Sequence, residues 1–145
     1  MSTAGSVPAQ YLASGDPALK GYSPAWVNNL ADDVTVEGSM LDGVVEGADA
    51  VRSIVLTIRS LYEHQEFTFA GSYRDNGFLE DYTAKVNGEP IGCVVLVTRN
   101  AAGQTQHIVA SYRPRTSLLR FARLLGETFA GTPIAEHFVA TEPSR

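Results

Sequence analysis

The chain has 145 residues, of which 44% are hydrophobic and 19% charged, and its net charge is −5. That length suits one domain around a single core, and the composition excludes a disordered tail. The acidic balance argues against a general nucleic-acid binder, and no apolar run is long enough to span a bilayer.

The single cysteine, Cys93, has no partner for an internal disulfide, and no cysteine–histidine spacing suggests zinc. The first residues, "MSTAGSVPAQY", lack the basic start and apolar block of a secretory signal. A reducing, cytoplasmic setting is therefore expected. Residues 1–10 read as a flexible arm of a single domain spanning 1–145, with a C-terminal helix over 115–130 and a tail over 131–145.

The N-terminal third reads helical, broken at Asp16-Pro17 and again between Gly21 and Pro24. Ser23 before Pro24 is a helix cap with proline at the first position. The helix it opens would carry Trp26, Val27, Leu30 and Ala31 and end near Asp32. Asp33 to Leu41 then reads as a strand with Val34, Val36, Gly38 and Met40 on one face. After Gly47, the residues Val51, Ile54, Val55, Ile58, Leu61 and Tyr62 recur at helical spacing, with Arg52, Arg59 and Glu63 off the stripe. Such a helix covers a sheet.

The second half is punctuated like an antiparallel meander. A strand with Phe67, Phe69 and Tyr73 precedes the turn Asp75-Asn76-Gly77. Phe78 to Val86 is the next strand, Asn87-Gly88-Glu89-Pro90 the next turn, and "IGCVVLVT" from Ile91 to Thr98 an almost unbroken apolar strand. A turn over Asn100 to Gly103 leads to a last strand, Thr105 to Arg113. Thr116 or Ser117 then caps a helix with Leu118, Phe121, Ala122 and Leu125 on one side. Arg113, Arg115, Arg120 and Arg123 there read as a solvated face rather than a phosphate site. Helices set against a mostly antiparallel sheet define an α+β domain, and a strongly curved sheet of this kind makes a cone with an apolar interior.

The segments "LADDVTVEG", "VVEGADAVRSIV" and "YRP", with the turn-separated strands between Phe67 and Arg113, resemble the nuclear transport factor two-like or SnoaL-like superfamily. Their order covers about Pro24 to Gly126 and is most similar to uncharacterised bacterial members of this cystatin-like α+β fold. The superfamily hosts isomerases, cyclases, hydrolases and non-catalytic domains, so the resemblance implies a fold and not a reaction. "ADDVTVEG" runs parallel to the ketosteroid isomerase segment whose general base is an aspartate, but Gly38 stands at that position. The second acid of that chemistry falls near Leu96, again without a proton to give, so the two-acid isomerase mechanism is not expected. The Asp–Arg–Asp set of limonene epoxide hydrolases has no matching aspartates on the last two strands either.

The resemblance also selects a pocket face. It implies that Val34, Val36 and Gly38 face inward, joined by Glu80, Tyr82, Ala84 and Val86, then Val94, Leu96 and Thr98, then His107, Val109, Ser111 and Arg113. A slip of one residue in any strand would exchange its faces. On that register His107 is a candidate general base and Glu80 its orienting partner or an acid. Arg113 is a candidate anion holder, and Tyr82 a donor to a developing oxyanion. Each has a plainer reading: His107 at a wet rim, Glu80 in solvent, Arg113 paired with an acid such as Glu127, and Tyr82 and Tyr112 as strand packing. Trp26 reads as core or as an indole at the pocket mouth, Glu37 as facing away, and Cys93 as a small buried hydrophobe off the pocket face.

The expectation is a small-molecule pocket protein, with catalytic candidates His107 and Glu80 and pocket candidates Trp26, Val36, Gly38, Met40, Tyr82, Leu96, Val109, Ser111 and Arg113. It would act on an apolar oxygenated compound as a lyase, isomerase or cyclase, with no cofactor. The alternative is a non-catalytic binding or dimerisation module. Family resemblance implies a homodimer through the outer sheet face, and no nucleic-acid or membrane partner is expected.

Overall fold

In the computed structural model, residues 25–138 are described. The N-terminal arm, the breaks before Pro24, the Ser23 cap and the end of the tail lie outside the described residues. Within them, the chain runs β1 (Leu30–Gly38), β2 (Val45–Glu46), α1 (Ala48–Leu61), β3 (Glu63–Tyr73), β4 (Gly77–Val86), β5 (Glu89–Arg99), β6 (Thr105–Arg113) and α2 (Arg115–Thr128). Short 3₁₀ helices at Ala25–Asn28 and Pro133–Phe138 bracket these elements.

The six strands form one open sheet in the order β2-β1-β6-β5-β4-β3. The β1–β6 pair is parallel and the others are antiparallel. The four meander strands are neighbours in sequence order because each turn is too short to reach further. Asn87 and Gly88 both take positive φ, 50° and 80°, which gives a two-residue turn matched to the twist of a hairpin. It pairs Val86 with Glu89 and so fixes the β4–β5 register.

The N-terminal helix is shorter than its apolar pattern suggests. Only Ala25–Asn28 turns, and the strand begins at Leu30 rather than Asp33. Thr105 anchors this change, its Oγ1 donating to the Trp26 carbonyl at 2.8 Å and its N–H to the Asn29 carbonyl. The tertiary pairing with β6 thus overrides local helix propensity. At the other end α2 begins at Arg115 without a side-chain cap, and Ser117 Oγ donates instead to the Pro90 carbonyl at 2.8 Å. Part of the expected tail also folds, since Pro133–Phe138 closes back so that the Phe138 and Phe129 rings stack 5.9 Å apart.

The core lies between the concave face of the sheet and the two helices. From α1, Val51 and Ile54 are buried; from α2, Phe121 and Leu125. They close over Val34, Cys93, Val97 and Ile108, all at 1% exposure or less. Full burial of each such side chain contributes about 1.5–3 kcal/mol. All four arginines of the C-terminal region are exposed. Arg113 pairs with Asp81 at 2.9 Å, not with Glu127, and Arg120 pairs with Glu89.

Candidate functional site

The register places the inward-facing residues in cross-strand rows. One row runs Phe67–Tyr82–Cys93–Tyr112 across β3, β4, β5 and β6. The next runs Ala70–Glu80–Val95–Ala110–Gly38 from β3 to β1. A third holds Phe78, Val97, Ile108 and Val36. Three of the five residues in the middle row, Ala70, Ala110 and Gly38, are small, so the sheet forms a trough there, with Glu80 as the one polar side chain of the row. The helix α1 roofs the trough with Ile54, Val55 and Ile58, and Met40 and Phe138 close one side. The resulting cavity encloses about 640 Å³ of non-atom space, counting its open mouth.

Glu80 is 3% exposed. The indole Nε1 of Trp26 donates to its Oε2 at 3.4 Å, a long bond that offsets little of the desolvation. Burial disfavours the charged form and pushes the carboxyl from 4.5 up to about 7. Next to it in the same wall, three tyrosine hydroxyls converge. That of Tyr62, at the end of α1, lies 2.7 Å from that of Tyr82 and 3.1 Å from that of Tyr112. Burial drives all three phenols above their ordinary range, so they stay neutral and retain their protons. Cys93 lies between Tyr82 and Tyr112 in the row, and its thiol is pushed up to about 12 by the same burial. It is an inert hydrophobe, but on the concave side rather than away from it.

The inward candidates at Trp26, Val36, Gly38, Met40, Glu80 and Tyr82 line this cavity. The candidates on the last two strands do not. Leu96 on β5 and His107, Val109, Ser111 and Arg113 on β6 face the outer side, because the inward residues there are Val95, Ile108, Ala110 and Tyr112. On β5 the two-residue turn sets the parity. On β6 a bulge sets it: Arg99 pairs with Thr105 but Thr98 with His107, and the extra residue reverses the faces. His107 Nε2 meets Glu37 Oε2 at 2.7 Å on that outer side, with both side chains substantially exposed. Arg113 reaches Asp81 across Gly92, whose missing side chain leaves room for the guanidinium. Glu80, His107 and Arg113 therefore do not converge.

Sequence reasoning also missed Tyr62, Tyr112, Gln65 and Arg59, all of which line the cavity. Tyr62 and Tyr112 were visible as a helical-stripe residue and as part of "YRP", but only the correct β6 parity brings them together. Arg59 lay off the apolar stripe, and Gln65 sits in an irregular start of β3 that no pattern marks. Among the described residues, no group of three or more His, Cys, Asp or Glu side chains is placed to hold a metal ion. Nor is any helix there long and apolar enough to cross a membrane.

The backbone explains the glycine at the isomerase base position. A Cβ on Gly38 would collide with the Ala110 carbonyl oxygen, which accepts the Ser39 N–H at 3.0 Å. A side chain is therefore excluded by the β1–β6 approach itself. The other acid position fares no better, because the inward residue on β5 is Val95. The buried carboxyl of this cavity, Glu80, stands one strand over, paired with Val95.

Comparison with known proteins agrees with this architecture. No family model matches the chain, and no curated protein does. Among solved structures, an uncharacterised bacterial protein with a cystatin-like fold from Silicibacter pomeroyi matches with a TM-score of 0.69 at 17% identity, over 78% of this chain and 79% of its own. A steroid delta-isomerase from Pseudomonas aeruginosa matches with a TM-score of 0.67 at 18% identity, over 77% and 80%. A de novo designed protein with a curved β-sheet matches with a TM-score of 0.57 at 19% identity, over 73% and 86%. The chain has the cystatin-like, nuclear transport factor two-like α+β fold. At these identities the likeness gives the fold alone.

Proposed function

We propose that the protein binds a small, apolar, oxygenated molecule and transfers a proton on it without a cofactor, as an isomerase or cyclase does, with Glu80 as the acid–base group. One observation carries this reading: the Glu80 carboxyl is buried in the wall of an apolar cavity, where desolvation pushes it up to about 7. A group tuned to that range both takes and returns protons near neutral pH. The neutral Tyr62–Tyr82–Tyr112 cluster supplies hydroxyl protons to an oxygen that gains negative charge during the transfer. A steroid delta-isomerase shares the fold, which is compatible with isomerase-type chemistry in such a sheet, though Gly38 and Val95 offer no acid at or beside the positions expected from the sequence resemblance.

The test is exchange of the α-protons of β-tetralone, a fused-ring ketone, into heavy water, followed by proton NMR. The wild-type protein should accelerate exchange above buffer, and Glu80→Gln should abolish the acceleration. Equal rates in the two proteins would exclude Glu80. A second reading, a binding module without chemistry, is favoured by the absence of any side chain at Gly38 and by the Trp26 indole already engaging Glu80. It predicts ligand-induced thermal stabilisation without exchange.

The reading includes a homodimer through the outer sheet face, where Leu96 and Val109 are half-buried and Phe69 is 44% exposed. Light scattering at micromolar concentration tests it, and a monomer would reject it. A cytoplasmic setting belongs to the same reading, with the lone, buried Cys93 compatible with it.

A further inference from the structure

The Gln65 carboxamide is 4% exposed and lines the cavity, yet its Oε1 has no hydrogen-bond partner. A buried polar atom left unpaired costs stability, and such atoms are rare in well-packed folds. The backbone around it is unusual as well. The β3–β4 register shifts between Glu63 and Glu66, and His64 takes a left-handed φ of 53°. Bulges of this kind re-aim a side chain. Here the flanking His64 and Glu66 are exposed and Gln65 alone turns inward.

Gln65 and Glu80 both line the cavity but come from different levels of the sheet. By register Gln65 stands between the partners of Thr83 and Lys85, beside Ala84. Four strand steps separate Ala84 from Glu80, or about 13 Å between backbones. Elsewhere the lining is dominated by apolar side chains such as Ile54, Ile58 and Val95.

We infer that Gln65 is a specificity residue whose partner is a hydroxyl on the ligand, carried away from the atom that Glu80 addresses. This inference rests on the pocket reading above and narrows it to apolar compounds that carry a hydroxyl away from the reacting atom. A hydroxyl is both donor and acceptor, so it satisfies the amide whichever way the carboxamide is turned. A site built around such a bond discriminates strongly against the analogue that lacks the hydroxyl, because the amide is then left unpaired.

The probes are para-phenylphenol and biphenyl, which share a rigid apolar body and differ by one hydroxyl. Binding is followed by Trp26 fluorescence in the wild type, in Gln65→Met, which keeps the shape, and in Gln65→Leu. The wild type should prefer para-phenylphenol by roughly tenfold or more, beyond any difference in solubility, and both variants should lose that preference. Both variants should also melt a few degrees higher than the wild type without ligand, because the orphan amide is gone. Lower melting would show that Gln65 has a structural partner such as a fixed water, and would overturn the inference. So would a preference that survives in Gln65→Met, since the hydroxyl would then be read elsewhere in the cavity. Binding of neither probe to the wild type would overturn the cavity reading itself, whereas equal binding of both would overturn only the role of Gln65.

Discussion

The buried acid gives a quantitative test that needs no substrate. Glu80 has its carboxyl raised from 4.5 to about 7 by desolvation, so the folded protein binds a proton more tightly there than the unfolded chain does. For such a group the sign runs opposite to that of an ordinary salt-bridged carboxylate. Below about pH 4.5 the acid is protonated in both states and costs nothing. Between about 4.5 and 7 the unfolded chain releases its proton first, so stability falls as pH rises. Above about 7 the folded state carries the charge and the penalty is complete. One unit of pKa difference is about 1.36 kcal/mol, so the full penalty for a rise from 4.5 to about 7 is roughly 3 kcal/mol. Glu80→Gln keeps an acceptor for the Trp26 indole but cannot ionise. It should match the wild type near pH 4 and exceed it by roughly 2–3 kcal/mol near pH 8. Urea unfolding of both proteins across that range gives the difference, and the subtraction cancels every other titrating group. A difference that does not grow with pH, or a variant less stable near pH 8, would refute the argument that Glu80 is buried without adequate charge compensation.

Gly38→Asp would not restore an isomerase base, because its Cβ meets the Ala110 carbonyl. A loss of about 2–3 kcal/mol is expected in urea melts, with no gain in β-tetralone exchange. Tyr62→Phe removes the hydroxyl shared by Tyr82 and Tyr112 and should cost about 1–2 kcal/mol by the same melts. His107→Ala breaks an exposed pair with Glu37 on the outer face. It should shift stability by less than about 1 kcal/mol and leave probe binding unchanged by fluorescence titration.

The architecture was largely legible because it is written in local chemistry: Asn87-Gly88, the apolar stripe after Gly47, and the bounds of β6 between the Asn100–Gly103 turn and Pro114. The faces of the last two strands were harder, for two different physical reasons. "IGCVVLVT" is apolar on both sides, so alternation carries no information along β5. Its parity is nonetheless implied by the turn before it: pairing Val86 with Glu89 carries Glu80 onto Val95, never onto Leu96. The parity of β6 has no such local signal. Extending the Arg99–Thr105 pair without a break would set Val95 against Val109, whereas the bulge sets it against Ala110. Beside the bulge, Gln106 accepts from Asn100 at 3.1 Å and donates to Asp33 at 3.0 Å, and only the second of these partners is distant in the chain. One inserted residue thus moves His107 and Arg113 out of the cavity and Tyr112 into it. The same step converts an expected histidine–glutamate site into one where the buried carboxyl stands beside three phenols. Chemistry in this sheet is decided by strand parity, and on β6 the parity turns on one irregularity at the Thr98–Arg99 step of the β5–β6 pairing.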